Sequence, residues 1–223
     1  PNQEVYSIDE CFLDLTGFKH LDLTNYGQRI RSTINRLVGL PVCVGVGASK
    51  TLAKLANHIA KKYFVFDGVC NLNEITQDTL DPLFSKIKVR EVWGVGRCIE
   101  KKLAKLGVNT VFDLKQSSPQ ALRKQFSVLM ERTIRELNGE SCIPLEEIAP
   151  LKKQLVCSRG FGIPVSSLSE LSEAVITYAT RVAEKLRRQR SVTAMVYVFI
   201  QTNPFKKKDR QYNPGRLVPL TNP

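Results

Sequence analysis

The stretch Glu4-Val5-Tyr6-Ser7-Ile8-Asp9-Glu10-Cys11-Phe12-Leu13-Asp14-Leu15 constrains this chain more than any other. Apolar and β-prone residues on both sides read as the arms of a β-hairpin, and two adjacent carboxylates, Asp9 and Glu10, interrupt them. Successive side chains on a strand point to opposite faces, so on flat strand these neighbours would diverge. At a strand end or in a hairpin turn both reach one site. Paired carboxylates so placed can hold Mg²⁺, a hard cation that takes oxygen ligands. Taken alone, an Asp-Glu pair is more often an ordinary solvated turn.

The rest of the first third alternates helix and strand. A helical stretch near 23–38 has Ile30, Ile34 and Leu37 at helical spacing and ends at Gly39. Pro41-Val42-Cys43-Val44-Gly45-Val46-Gly47 reads as a buried strand, and Ser49 as the N-cap of a helix from Lys50 to about Lys62. A further strand lies around Gly68–Leu72. A helix turns about 100° per residue, which brings Lys50, Lys54 and Lys61 within about 40° of one another. Leu52, Leu55, Ala56 and Ile59 form a separate, roughly opposed apolar stripe. The basic face is either simply solvated or, beside Asp9 and Glu10, a place to hold a triphosphate. His58 reads as a packing or surface residue rather than a ligand.

From about Thr76 to Gly139 the chain reads as short helices punctuated by Gly94, Gly96, Gly107 and Pro119. Gly94-Val95-Gly96 lets backbone amides approach an anion without Cβ interference, and the helix starting there aims its positive dipole end the same way. Ile99, Leu103 and Leu106 make its apolar stripe, with Arg97, Lys101 and Lys105 lying away from it. A plain turn between two core helices is the alternative. Glycine spacing and basic face together favour contacts to a DNA backbone, which position a duplex without reading its sequence. Residues 140–153, with Pro144 and Pro150, read as a linker. A strand (Leu155–Phe161), a long helix (about Ser169–Arg190), a strand (Thr193–Gln201), a basic loop and a strand start at Arg216–Thr221 follow. The long helix carries Leu171, Val175, Tyr178 and Val182 on one side; Arg181, Lys185, Arg187, Arg188 and Arg190 read mostly as a solvated face.

Composition narrows the partners. The net charge of +12 favours a polyanion, DNA or RNA first. No long basic amphipathic helix with bulky aromatics points to a membrane surface. No apolar run approaches the ~20 residues that cross a bilayer, and the polar N-terminus has no secretory pattern. Six cysteines without C-x-x-C spacing argue against zinc and against a disulfide scaffold, and for reduced thiols in a cytoplasmic protein.

Several of these segments share one resemblance. Tyr6-Ser7-Ile8-Asp9-Glu10 followed by an apolar strand resembles the second catalytic motif of Y-family translesion DNA polymerases. Ser49-Lys50 through Lys61 resembles the family's Asn/Ser-Lys-x-x-Ala-Lys-x-Ala helix. Trp93-Gly94-Val95-Gly96 resembles the thumb hairpin of UmuC-type members. Leu155–Gly162 is similar to the first strand of the little finger, and Gln201-Thr202-Asn203-Pro204-Phe205 also resembles the UmuC branch.

The resemblance implies a multi-domain α/β and α+β fold. Residues 1–75 would form a partial palm, a mixed sheet with helices. Residues 76–139 would form a helical thumb with a helix-hairpin-helix, residues 140–153 a linker, and residues 154–223 a partial β-α-β little finger. It implies error-prone translesion DNA synthesis in the SOS response by phosphoryl transfer with two Mg²⁺ ions. Asp9 would bridge the metals, and Glu10 would hold the one at the attacking hydroxyl. Lys61, with Lys54, would meet the nucleotide's phosphates. Gly94, Gly96, Arg97, Ser158 and Arg159 would contact DNA. Implied partners are primer-template DNA, deoxynucleoside triphosphates, a UmuD-type protein, RecA and a sliding clamp.

Lys62 stands where much of the family has proline. The family's first metal-binding Asp and its fingers lie upstream of the position of Pro1, and Asp14 belongs to the family's own Ile-Asp-Glu-x-Phe-x-Asp string. The chain by itself is therefore expected not to extend a primer. The alternatives are a non-catalytic DNA-binding fragment and an interaction module of an SOS mutagenesis assembly.

Overall fold

The computed structural model describes residues 1–18, 20–146, 151–206 and 208–220. The chain divides into two compact units, Pro1–Ala149 and Pro150–Pro223.

In the first unit, strands β1 (Gln3–Val5) and β2 (Cys11–Leu13) form an antiparallel hairpin with Val5 opposite Cys11. Helix α1 (Leu23–Val38) starts where the Asp22 carboxylate accepts the Asn25 amide and stops at Gly39, whose φ of 73° is the left-handed conformation glycine adopts freely. Strand β3 (Val44–Val46) pairs in parallel with β4 (Val69–Asn71), and helix α2 (Lys50–Lys62) forms the crossover between them. Ser49 caps α2 by accepting the Leu52 amide. Gly45 is required by packing, because a Cβ there would lie 2.2 Å from the Ala53 carbonyl oxygen and from the Asn57 amide of α2. The expected helices over 23–38 and 50–62 form with the expected ends. The expected mixed arrangement of strands and helices forms with small sheets, the antiparallel pair β1–β2 and the parallel pair β3–β4.

Helices α3 (Gln77–Ser85), α4 (Arg97–Ala104), α5 (Val111–Gln116), α6 (Pro119–Gln125) and α7 (Val128–Leu137) follow. One hydrophobic core runs from Leu52, Leu55, Ala56 and Ile59 of α2 through Phe84, Leu103 and Leu114 to Ile134 and Leu137 of α7. The apolar stripe of α2 is thus the face that joins its sheet to the helices after it. Leu106, expected in the stripe of α4, is exposed. The helix ends at Ala104, Gly107 turns the chain at φ 79°, and Val108 is buried.

In the second unit, helix α8 (Leu168–Arg188) opens on a capping box of Ser167 and Glu170. Strands β5 (Met195–Phe199) and β6 (Gly215–Pro219) pair antiparallel. Leu155–Phe161, expected as a strand, is not one: β5 and β6 pair with each other, and no strand among the described residues partners this segment. The half-buried stripe of α8 runs through Leu171, Ala174, Tyr178, Val182 and Leu186, with Ala174 in the place expected of Val175. Arg181, Lys185, Arg187, Arg188 and Arg190 are exposed. Among the described residues of this unit none is fully buried. No described helix is long and apolar enough to cross a membrane.

Candidate active site

The site begins with the turn between β1 and β2. The Tyr6 and Ser7 amides both donate to the Glu10 carbonyl, at 3.1 and 3.0 Å, and close the loop. This removes Asp9 and Glu10 from the flat-strand geometry that would send them apart. The Ser7 hydroxyl donates to Asp9 Oδ1 at 2.6 Å. That hydrogen bond first, then one from backbone, and last the charges of Lys61 and Lys54 hold the Asp9 carboxyl below its usual value. Glu10 Oε2 accepts from Lys54 Nζ at 2.7 Å. The turn thus sets Glu10 on Lys54, and Asp9 where the charges of Lys61 and Lys54 are felt.

Lys50 does not share that face. It is buried, and its ammonium donates to Glu4 Oε2 at 2.6 Å and to the Pro144 carbonyl at 3.3 Å. Glu4 also accepts the Glu146 amide at 2.7 Å. Burial pushes the Glu4 carboxyl up, but the Glu146 amide and Lys50 outweigh it and hold it low. The expected face of three lysines therefore has one member, Lys50, turned to structural use. A buried ammonium requires a paired anion, and β1 supplies one.

Tyr6, Phe12 and Trp93 pack together beside these lysines. The ring centroids of Tyr6 and Trp93 are 5.4 Å apart, those of Phe12 and Trp93 5.7 Å, and the indole Nε1 donates to the Tyr6 hydroxyl at 2.9 Å. Lys54 Nζ lies 4.5 Å from the Tyr6 centroid and Lys50 Nζ 4.7 Å from that of Phe12. Trp93 immediately precedes the glycine hairpin, so the carboxylate turn and that hairpin are tied by one hydrogen bond. Gly94 has φ 86°, and Gly96 forms the N-cap of α4 without a side-chain cap. A Cβ at either glycine would meet open space, and Arg97 and Lys101 on α4 and Lys105 just past its end are exposed. The hairpin therefore presents amides and cations outward. Ser158 and Arg159 are exposed in the second unit, on backbone that is not strand, with Arg159 donating to the Ser158 carbonyl at 3.0 Å.

Glu136 is a buried neighbour of the lysine helix that sequence reasoning missed. Its carboxylate is fully buried and accepts the Thr51 amide and hydroxyl at 2.9 and 2.6 Å, together with the Cys142 and Ile143 amides. Ser49 donates to its carbonyl at 2.9 Å. An acid at the C-terminal end of α7 thus caps the N-terminus of the lysine helix α2. The sequence signal is faint: an acid within an apolar helical stripe. His58, on the same helix, faces Glu91 with Nδ1 3.6 Å from its carboxylate, and its buried Nε2 has no partner among the described atoms. Burial pushes its pKa down, against Glu91.

Among the described residues no group of three or more His, Cys, Asp or Glu side chains could hold a metal ion. The turn offers two carboxylates, oxygen donors suited to a hard cation, of which Asp9 is open and anionic and Glu10 is engaged by Lys54. These residues fit part of a Mg²⁺ shell.

Comparison with known proteins agrees in order along the chain. The impB/mucB/samB family model matches residues 1–58, and the C-terminal domain of the same family matches residues 152–223. Between them, a thumb-domain model of DNA polymerase-iota matches residues 90–134. The chain is 47% identical over 225 residues to protein UmuC of Salmonella typhimurium, covering 100% of this chain and 53% of that protein. It is 44% identical over 210 residues to protein MucB of Escherichia coli, covering 94% and 50%. It therefore spans about half the length of the curated relatives it matches. Among solved structures, a Y-family DNA polymerase chimera built on Dbh superposes with a TM-score of 0.62 at 19% identity, over 99% of this chain and 60% of that one, a likeness of fold. With the impB/mucB/samB model and the model of that family's C-terminal domain matched in order, together over more than half of its residues, the chain belongs to the impB/mucB/samB family.

Proposed function

We propose that this sequence supplies the carboxylate turn, the nucleotide helix, the thumb and part of the little finger of an error-prone DNA polymerase acting in the SOS response. The observation that carries this reading is the turn that sets Asp9 next to Glu10, with Lys54 on the Glu10 carboxylate and the charges of Lys61 and Lys54 felt at Asp9. Asp9 and Glu10 would hold divalent ions, which supply charge neutralisation and orientation for an in-line displacement at a nucleotide phosphorus. Lys61 and Lys54 hold the triphosphate as point charges. The hairpin amides of Gly94 and Gly96, with Arg97, hold the primer-template backbone, and Ser158 and Arg159 add phosphate contacts from the second unit. A UmuD-type protein, RecA and a sliding clamp are the partners proposed with it, in the cytoplasm.

The test is primer extension by a polypeptide of full family length that contains this sequence. Asp9→Ala or Glu10→Ala is expected to abolish templated incorporation while leaving DNA binding nearly intact. Lys61→Ala is expected chiefly to weaken nucleotide use. Near-normal turnover by the Glu10→Ala protein would overturn the reading of the turn. Loss of DNA binding along with activity would favour a purely architectural turn, and with it a DNA-binding module without catalysis.

A further inference from the structure

Lys54 has two claims on a single ammonium. It is mostly buried, pairs with Glu10 at 2.7 Å, and lies 4.5 Å from the Tyr6 ring centroid. It is also one of the two lysines assigned above to the triphosphate. The other helix lysines differ from it. Lys50 is committed to Glu4 in the interior, and Lys61 is exposed and in no ion pair among the described residues. A lysine ammonium is a compact charge on a flexible stem, so it can pivot between neighbouring acceptors. A polyphosphate offers it several charged oxygens where Glu10 offers one carboxylate.

We propose that Lys54 is a transferable cation, pairing with Glu10 until phosphates arrive and then passing to them, which frees the Glu10 carboxylate for a metal ion. The proposal rests on the assignment of Lys54 and Lys61 to the triphosphate. It makes Lys54 a positioning residue for Glu10 and puts phosphate binding before full cation binding. It also has a consequence opposite to a simple metal-bridged site: without metal, Glu10 competes with the phosphates for Lys54, so removing its charge strengthens anion binding.

The chain reports on this directly, since Trp93 is its one tryptophan and its ring centroid lies 5.9 Å from Lys54 Nζ. Inorganic tripolyphosphate is titrated into the chain without divalent ions and followed by Trp93 fluorescence and by calorimetry. Glu10→Gln is expected to tighten binding about three- to tenfold, and Lys54→Ala to weaken it and remove the fluorescence change, with no further gain from Glu10→Gln in that background. Asp14→Asn, which removes an exposed charge bonded to Thr16, controls for general electrostatics and is expected to change binding less than about twofold. An equal gain from Glu10→Gln with and without Lys54, or weaker binding by Glu10→Gln, overturns the transfer. If tripolyphosphate binds, Lys61→Ala abolishes binding and Glu10 and Lys54 act independently, the nucleotide site survives and the transfer alone fails. No binding by wild type or by Glu10→Gln overturns both.

Discussion

At the scale of single residues, the two buried acids are more telling than the two catalytic candidates. Glu4 and Glu136 each take a carboxylate out of water, which is costly unless every lone pair finds a donor. Glu136 has four protein donors and Glu4 has an ammonium and an amide. Both serve α2, Glu4 through Lys50 and Glu136 through Thr51. The lysine helix is therefore held at its N-terminal end by residues 46 and 85 positions distant in the chain. Glu136→Ala strands several buried donors at once and is expected to destabilise the first unit by roughly 2–4 kcal/mol. Urea unfolding followed by Trp93 fluorescence measures it. Glu136→Gln keeps one acceptor oxygen and should cost less, and equal costs for the two would contradict the hydrogen-bonding account. Cys70 is a quieter example of burial, its thiol pushed up to about 12 and so kept protonated at neutral pH.

At the scale of elements, α2 and the glycine hairpin before α4 carry opposite designs. The helix is fixed along most of its length, and one of its contacts is pH-sensitive. Burial lowers the pKa of His58 in the folded chain below its ordinary 6.5. On acidification the unfolded chain takes up that proton first, so the contribution of His58 to stability is full above about 6.5 and is lost as pH falls toward the folded value. Stability of wild type is expected to fall more steeply than that of His58→Gln between neutral pH and pH 5. Parallel curves would show that the Glu91 charge compensates fully. The hairpin, by contrast, is open. Gly94 needs its positive φ, so a side chain there strains the fold as well as blocking an anion. Gly96 has φ −85° and open space around its Cβ position, so Gly96→Val isolates the blocking effect. It is expected to weaken binding to primer-template DNA by roughly 1–3 kcal/mol, the range for lost hydrogen bonds to a charged group. Arg187→Glu with Arg188→Glu on the solvated face of α8 should cost less in the same anisotropy titration. Equal losses would mean diffuse electrostatics in place of a hairpin site.

At the scale of the whole molecule, charge is unevenly shared. Residues 150–223 hold 13 Lys and Arg against 4 Asp and Glu, a net +9 of the chain's +12. The first unit, although it holds the lysine helix, is close to balanced because its acids neutralise Lys50, Lys54 and Lys115 within the fold. The charge of the second unit is expected to add a salt-sensitive contribution to that of the hairpin, so that DNA binding is indifferent to sequence and falls steeply with salt as phosphate contacts release counterions. A salt series with two unrelated primer-templates checks this, and a flat salt dependence would exclude phosphate contacts as the source of affinity.

What the sequence determined by itself was local. Ser49, Gly39 and the spacing of Leu52, Leu55, Ala56 and Ile59 define helices whose hydrogen bonds close within four residues, and α1 and α2 form as their patterns require. The Asp9-Glu10 turn and the Gly94–Gly96 hairpin were legible for the same reason, since each is a short run with demands of its own. Tertiary structure decided whatever depends on a distant partner. Leu155–Phe161 has the composition of a strand, but a strand exists only where another strand supplies its ladder, and among the described residues none does. Lys50, Lys54 and Lys61 share one helical face, yet Glu4 takes the first inward, Glu10 engages the second and the third stays in solvent. Helical spacing assigns direction around an axis. Which charge lies in that direction is set by packing of β1, the turn and α7 against α2, because only burial beside a counter-charge makes a lysine structural.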